Sequence, residues 1–258
     1  MLKKNGIFQE ERFEEILNLI ASNGRVLIDD LSKKFNTTKV TIRRDLALLE
    51  KRGLLKRTHG GAIKGKSLFQ GLALNEKEKL NLSEKKRIAK KAASMIFEGD
   101  TIILDAGSTT SLLAKEIKSM KNVTVITNAV NIASELSQSE IEIILTGGSF
   151  QKDSSTLIGT FADEILQKIS ADKLFQGVDG IDFEIGLTTP SITEAKTSKV
   201  MMSRVNEVIV VADSSKFWRK SLAVISGVNE VDKIVTTKKL TKKELKKFHD
   251  MDVEIIAA

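Results

Sequence analysis

Apolar residues recur with helical spacing in the first fifty residues of the chain and form short continuous runs after residue 100. In the first region the spacing predicts helices over 10–21 and 30–35 and a third between Thr38 and Gly53. Residues 54–63 fit a short hairpin that turns at a His-Gly-Gly sequence. Three helices followed by a hairpin within about 60 residues predict a winged helix-turn-helix.

The third predicted helix has an apolar stripe at Ile42, Leu46 and Leu49, and its opposite side is polar. Thr38 can cap the helix by accepting a bond from an N–H of the first turn. In helix-turn-helix proteins this end of the helix meets base edges. An amphipathic helix with a solvated basic face is the alternative. We expect DNA contacts from Thr38, Lys39, Thr41, Arg43 and Arg44 in the helix and from Arg57 and His59 in the wing.

The net charge of +7 lies entirely in the N-terminal quarter of the chain. Residues 1–66 carry 15 Lys and Arg against 8 Asp and Glu, whereas residues 67–258 carry 26 of each. A generally basic surface would spread the excess along the chain. The distribution is typical of a nucleic-acid-binding module joined to a neutral one. RNA recognition by base stacking is disfavoured, because the chain has no Tyr and one Trp.

The runs after residue 100 are short, apolar and rich in β-branched residues, which is typical of buried strands. Helical segments separate them, and this alternation indicates βαβ units in a parallel sheet. The predicted fold class is therefore α/β, with a Rossmann-like C-terminal domain after the winged helix-turn-helix. The predicted strands are 101–106, 123–128, 141–148, 173–179, 207–213, 233–237 and 253–257.

Residues 65–82 show no clean period and are rich in Lys and Gly, so we predict a linker there. It would join a DNA-binding domain over 1–64 to an α/β domain over 83–258. The first helix of the second domain is expected over 84–97, capped by Ser83. We interpret its lysines as a solvated face, because that domain is neutral.

The predicted strands end in small or polar residues, and ligands of open parallel sheets bind beyond those ends. Gly107 lets the backbone approach a ligand, and the N–H groups that follow it form an anion seat at a helix start. Lys216 can add positive charge, while Asp179 and Glu194 suit hydroxyl groups. Ordinary strand-to-helix turns are the alternative. We predict a site for a phosphorylated sugar or polyol formed by Asp105, Gly107, Ser108, Thr109, Thr110, Thr127, Asn128, Gly147, Gly148, Asp179, Gly180, Glu194 and Lys216.

Several function classes are disfavoured by composition. The chain has no Cys and two His far apart, which argues against a disulfide framework, a thiolate nucleophile and a metal site. No nucleotide-binding glycine motif is present, and we expect no cofactor. No window approaches the roughly 18 apolar residues of a membrane span, so we expect a cytoplasmic protein without a membrane partner.

The segment VTIRRDLALLEKRGLLKRTHGGA (40–62) resembles the N-terminal signature of the DeoR family of bacterial transcriptional regulators. The resemblance implies a regulator, usually a repressor of sugar catabolism genes, whose C-terminal domain senses a sugar phosphate. It also implies operator DNA as a partner, and operator palindromy calls for a dimer or a tetramer. Further matching segments are DAGSTT (105–110), LTGG (145–148), GVDGID (177–182), GLTTPSITEAKTSKVM (186–201) and VVADSSKF (210–217).

The C-terminal domain also resembles ribose-5-phosphate isomerase, through DGID (179–182), Glu194 and ADSSK (212–216). This second resemblance implies a rival function, a sugar-phosphate isomerase with an accessory DNA-binding module. The enzyme carries a lysine before a glycine run where this chain reads GLTTP (186–190). Because that lysine is missing, we expect a binding pocket without catalysis. Trp218 departs from the regulator family, which usually has a small residue there.

Overall fold

A computed structural model describes residues 9–51, 55–64 and 72–258 of the chain. The chain divides between residues 70 and 71 into two compact units, a smaller N-terminal unit and a larger C-terminal unit.

The N-terminal unit is a winged helix-turn-helix, as the sequence predicts. Its elements are α1 (Gln9–Asn23), β1 (Arg25–Leu27), α2 (Ile28–Lys34), α3 (Lys39–Lys51), β2 (Leu55–Thr58) and β3 (Gly61–Lys64). The three strands form an antiparallel sheet in the order β1-β3-β2. Ile42, Leu46 and Leu49 of α3 are fully buried in the core of this unit. The predicted helix end at Gly53 lies outside the described residues.

Gly61 allows β1 and β3 to pair closely. A Cβ atom added at this position would lie 2.0 Å from the carbonyl oxygen of Val26. A side chain there would therefore push β3 away from β1, and glycine is required where two backbones approach so closely.

The C-terminal unit is an α/β domain with helices on both faces of a parallel sheet. Its helices are α4 (Leu74–Lys79), α5 (Leu82–Ala93), α6 (Ser108–Ile117), α7 (Val130–Leu136), α8 (Thr160–Gln167), α9 (Ile192–Met202) and α10 (Lys242–His249). Its strands are β4 (Thr101–Leu104), β5 (Thr124–Thr127), β6 (Glu142–Leu145), β7 (Ser149–Gln151), β8 (Thr156–Ile158), β9 (Ala171–Gln176), β10 (Gly180–Asp182), β11 (Gly186–Thr189), β12 (Val205–Ala212), β13 (Ala223–Ser226), β14 (Lys233–Thr236) and β15 (Glu254–Ala257).

Seven parallel strands form the main sheet, in the order β15-β14-β12-β9-β4-β5-β6. Two clusters of buried apolar side chains contain residues of this sheet and of the helices that cover it. From β4 the chain proceeds toward β6, and from β9 it proceeds toward β15. The order therefore reverses between β4 and β9, the position at which open α/β sheets bind ligands beyond their carboxyl ends.

The predicted linker over 65–82 is wrong in its second half. Helix α4 lies within it, because Leu74 is buried against the C-terminal unit, and six residues are too few for a period to be recognised. Helix α5 begins at Leu82 rather than at residue 84, after Asn81 in a left-handed conformation, so Ser83 is not its cap. It ends at Ala93 rather than at the predicted residue 97. The apolar pattern of the sequence extends past this end because Ile96, in the following turn, also packs on the core.

Helix α6 begins at Ser108, soon after β4 ends, and the N–H of Ser111 donates to the carbonyl of Gly107 at 2.9 Å. A second, antiparallel sheet in the order β10-β11-β13 was not predicted. A hairpin of β7 and β8 was missed in the same way. These strands have three or four residues each, which is too short for alternation to be visible.

Candidate DNA-binding face and effector site

The start of α3 presents the residues predicted to contact DNA. Thr38 caps the helix by accepting a hydrogen bond from the N–H of Thr41 at 3.2 Å, and the two threonine hydroxyls are 3.0 Å apart. Arg43 and Arg44 are exposed, since the inward stripe of α3 lies on the other side. The ammonium of Lys39 is also exposed and lies 2.8 Å from a carboxylate oxygen of Asp29. This solvated pair is free to exchange its carboxylate for a phosphate.

The wing is anchored to the far end of α3. The N–H of Arg57 donates to the carboxylate of Glu50 at 2.7 Å, and the Arg57 guanidinium lies 3.8 Å from the same carboxylate. His59 is exposed in the turn between β2 and β3. Arg57 therefore has a carboxylate partner within the unit, whereas His59 lies at the tip of the hairpin.

Two features of this unit were not found from the sequence. Val40 is 71% exposed at the start of α3, and an apolar side chain there suits the methyl group of a thymine. Val40 lies off the apolar stripe of α3, and this unusual position could have been noticed in the sequence.

Asp45 is only 1% exposed and accepts hydrogen bonds from Arg12 at 2.8 Å and from Gln9 at 3.0 Å, so α1 and α3 are joined by a buried carboxylate.

In the C-terminal unit the carboxyl ends of β4 and β9 meet at Asp105. Its buried carboxylate accepts hydrogen bonds from the N–H of Gly177 at 3.3 Å and from the side-chain amide of Gln176. Burial raises the pKa of the Asp105 carboxyl to about 7, and the nearby charge of Glu194 acts in the same direction. Asp105 is therefore poised between its neutral and ionised forms near neutral pH.

Asp179, just beyond β9, is bracketed by two lysines. The ammonium of Lys77 lies 2.8 Å from one of its carboxylate oxygens, and that of Lys216 lies 3.2 Å from the other. Burial alone would raise the pKa of Asp179, but Lys216 and Lys77 outweigh it and hold that pKa well below its ordinary value. Burial also lowers the pKa of Lys216, and Asp179 partly offsets this.

A third lysine, Lys85, lies in the same region and was missed. It is only 2% exposed, its ammonium donates to the carbonyl of Lys77, and burial lowers its pKa to about 8. The interpretation of the α5 lysines as a solvated face is therefore wrong for Lys85. A signal was present, because Lys85 precedes Ile88 and Ala92 on the buried stripe of α5 by one and two helical turns. Lys77 was missed because it lies in the predicted linker.

The first turn of α6 supplies hydrogen-bond donors beside this cluster. Ser108, Thr109 and Thr110 are buried there, and the Thr110 hydroxyl donates to the carbonyl of Gly107 at 2.9 Å. Gly107 itself approaches the β9 end, where a Cβ atom would lie 4.0 Å from the Cα of Gly177. Backbone N–H groups at a helix start together with lysines form an arrangement suited to a phosphate.

The remaining predicted site residues are more dispersed, and several are engaged within the fold. The Thr127 hydroxyl donates to the carbonyl of Leu104 at 2.7 Å and accepts from the N–H of Ala129 at 3.0 Å. Asn128 follows it at the end of β5, next to β4, and its side-chain oxygen is buried without a hydrogen-bond partner. That amide oxygen can accept a hydrogen bond from a ligand hydroxyl.

Gly147 and Gly148 follow β6, at the edge of the sheet and two strands away from β4. A Cβ atom on Gly148 would lie 2.8 Å from the carbonyl oxygen of Ile158, so this glycine serves packing against β8. Gly180 likewise lies against the backbone of Arg219, since a Cβ atom on it would lie 2.2 Å from the Arg219 carbonyl oxygen. Glu194, in the first turn of α9, accepts a hydrogen bond from Thr189 at 3.4 Å.

Among the described residues, no group of three or more His, Cys, Asp or Glu side chains is arranged to hold a metal ion. In the same parts of the chain, no helix combines the length and the apolar character needed to cross a membrane.

Two family models match the chain, one for each unit. A model described as DeoR-like helix-turn-helix domain matches residues 12–67. A model described as DeoR C terminal sensor domain matches residues 80–238, more than half of the chain.

Solved structures similar to the chain include ribose 5-phosphate isomerase A from Methanocaldococcus jannaschii. The TM-score is 0.40 with 22% sequence identity, over 53% of this chain and 55% of that one. The fold assignment rests on the strand order given above.

Curated relatives include the HTH-type transcriptional regulator GolR of Listeria innocua, which is 35% identical over 96% of this chain and 98% of its own. The lactose phosphotransferase system repressor of Streptococcus mutans is 34% identical over 88% of this chain and 92% of its own. The HTH-type transcriptional repressor GlcR of Bacillus subtilis is 34% identical, with 89% of each chain covered. The chain is thus a DNA-binding transcriptional regulator rather than an enzyme, and it belongs to the DeoR family.

Proposed function

We propose that this protein represses genes for the uptake or catabolism of a sugar and that a phosphorylated sugar controls its binding to operator DNA. The observation that carries the effector assignment is the cluster of Lys77, Lys85 and Lys216 at the point where the sheet order reverses. Asp179 and the buried Asp213 together balance two of these three positive charges, so the cluster favours a further anion.

The phosphate would be held by these lysines and by the N–H groups at the start of α6. The sugar hydroxyls would bond to Asp105, Asn128 and Glu194, whose side chains offer acceptor oxygens. Of the rest of the predicted set, Asp179 would lie beside the phosphate, while Thr127, Gly147, Gly148 and Gly180 would support the site through the conformation and packing of the fold. Names of relatives support a sugar-linked role, since one is a lactose phosphotransferase system repressor.

For DNA binding, Arg43 and Arg44 would lie in the major groove, where each guanidinium contacts base edges and a flanking phosphate, while Lys39 and His59 contact phosphates. Thr38 and Thr41 would add hydrogen bonds at the start of α3, and Arg57 would contact DNA from the wing. We propose that two copies of the chain bind a palindromic operator as a dimer, with a tetramer as a further assembly. We assign the protein to the cytoplasm because its partner is chromosomal DNA.

A thermal-shift screen of the full-length protein tests the effector assignment. The panel contains ribose 5-phosphate, fructose 1-phosphate, fructose 6-phosphate and glucosamine 6-phosphate, each beside its unphosphorylated sugar. We expect one phosphorylated sugar to raise the Tm while its parent sugar does not. A Lys216→Gln variant should lose that shift. Stabilisation by the unphosphorylated sugar alone, or an unchanged shift in Lys216→Gln, would contradict the proposal.

A further inference from the structure

Helix α4 is the first element described in the C-terminal unit, and it is tied to that unit at both ends. At its start the N–H of Leu74 donates to the carbonyl of Asp153, in the turn between β7 and β8, at 2.8 Å. Near its end, Lys77 forms the ion pair with Asp179 at 2.8 Å. Seven residues, 65–71, join Leu72 to the last described residue of the wing, Lys64.

The two lysines on Asp179 differ in how firmly the fold holds them. Lys216 follows β12, an interior strand of the main sheet, so its backbone is fixed by the core. Lys77 belongs to a helix of six residues, with a single buried apolar side chain, Leu74. A short helix has little stability of its own and depends on its tertiary contacts. The Lys77–Asp179 pair is therefore a main anchor of α4.

A phosphate group competes with Asp179 for these lysines. It carries a charge of about −1.5 to −2 at neutral pH and three strong acceptor oxygens, against one charge on a carboxylate. Lys216 can turn toward such a ligand without moving its backbone. For Lys77 the same change breaks the bond that anchors α4, because its partner is no longer the Asp179 carboxylate.

We propose that Lys77 exchanges Asp179 for the phosphate of the effector, and that this exchange moves α4 and with it the start of the chain leading to the DNA-binding unit. The inference rests on the proposed effector site and adds the step by which its occupancy is transmitted. It also satisfies the requirement that a ligand interact differently with two states of the protein, since Lys77 contacts the ligand in one state only.

The experiment compares full-length wild type with Lys77→Gln, Lys77→Arg and Lys79→Gln. Lys79 is an exposed lysine of the same helix, so its variant is a matched control for charge removal. Hydrogen exchange is measured over residues 72–82, and affinity is measured for a duplex selected from a random library by the wild-type protein. Both are measured without ligand, with inorganic phosphate, and with any sugar phosphate that binds in the thermal-shift screen.

We expect Lys77→Gln without ligand to exchange faster over α4 and to differ from wild type in duplex affinity by about fivefold or more. Ligand should produce little further change in this variant. Lys77→Arg should restore wild-type behaviour, because a guanidinium also pairs with Asp179, and Lys79→Gln should match wild type.

Wild-type exchange and affinity in ligand-free Lys77→Gln would overturn the inference. So would a Lys79→Gln variant that behaves like Lys77→Gln, because the effect would then be one of net charge. If no sugar phosphate binds wild type but ligand-free Lys77→Gln still loosens α4 and shifts duplex affinity, the effector assignment and the exchange step fail, while the anchoring of α4 by Lys77 and its coupling to DNA binding stand.

Discussion

The two units of this protein use positive charge in opposite ways. In the N-terminal unit the cations at the start of α3, Lys39, Arg43 and Arg44, are exposed, and residues 1–66 carry the whole net charge of the chain. The C-terminal unit has no net charge, yet it buries Lys85 and covers most of Lys216, whose side chain is 15% exposed. Exposed cations attract a polyanion over a long range and are screened by salt. Buried cations have lost their water and favour a small anion that replaces it.

The cost of burial is visible in two lysines of the proposed effector site. Burial lowers the pKa of Lys85 to about 8 and also lowers the pKa of Lys216. An anionic ligand relieves both, so one small anion can stabilise this site, whereas the DNA-binding face needs many phosphates together. The location of a lysine, more than its presence, thus decides what kind of anion it serves.

The largest expected effect is a loss of stability on substitution of Asp45, the buried carboxylate of the N-terminal unit. Asp45→Ala removes the carboxylate that pairs with Arg12, and breaking such a pair costs about 3 kcal/mol or more of the free energy of unfolding. Urea denaturation followed by circular dichroism measures this loss. Asp30→Ala, which removes an exposed aspartate of the same unit, is the control and should change little. Equal effects of the two variants would mean that the buried pair contributes nothing special.

The next effect concerns the DNA-binding face. Arg43→Ala or Arg44→Ala should each weaken binding to the selected duplex by about 1–3 kcal/mol, since each removes a contact to base or phosphate. Their Tm values should stay near that of wild type, because both side chains are exposed. Fluorescence anisotropy measures the affinity, and Lys90→Ala, an exposed lysine of α5, is the control. Wild-type affinity in both arginine variants would refute the placement of the DNA contacts.

A smaller effect is expected from the effector site. Lys216→Gln should weaken binding of the identified sugar phosphate roughly tenfold or more, because it removes a charged hydrogen-bond donor. The affinity for DNA without ligand should change far less than in the arginine variants. Isothermal titration calorimetry and anisotropy provide the two measurements. If Lys216→Gln lost affinity for DNA but kept its affinity for the ligand, Lys216 would serve DNA binding rather than effector binding, and the proposed division between the two units would be contradicted.

The smallest effect is a pH dependence at Asp105. In the folded protein the Asp105 carboxyl keeps its proton up to about pH 7. In an unfolded chain the same carboxyl releases its proton near the ordinary pKa of 3.8. Stability from this group is therefore present at low pH and declines as the pH rises through that window. The Tm of Asp105→Asn minus that of wild type should increase from pH 5 to pH 7 and then level off. A constant difference from pH 5 to pH 8 would contradict the raised pKa.

Much of the fold follows from the sequence alone. The stripe of Ile42, Leu46 and Leu49 predicts α3, and the continuous apolar runs predict every strand of the main sheet, because burial sets both patterns. Short elements escape such reasoning. β10, β11 and β13 pair with one another through backbone bonds, and no period can be recognised in strands of three or four residues.

The proposed effector site is only partly predictable from the sequence, because it depends on interactions between distant segments. Asp179 and Lys216 follow strands that the pattern identifies, so their neighbourhood could be inferred from the order of a parallel sheet. Lys77 reaches the same carboxylate from a helix 102 residues earlier in the chain, which no local pattern records. Lys85 could have been found, since it occupies a core-facing position of its helix.

The salt dependence of DNA binding tests the division of charge between the two units most directly. Log affinity for the selected duplex is measured against log salt concentration for wild type, for the Arg43→Ala/Arg44→Ala double variant and for Lys216→Gln. Removing one cation that neutralises a phosphate reduces the slope by about one, so the slope of the double variant should fall by about two while Lys216→Gln keeps the wild-type slope. A changed slope in Lys216→Gln together with an unchanged slope in the double variant would contradict the account.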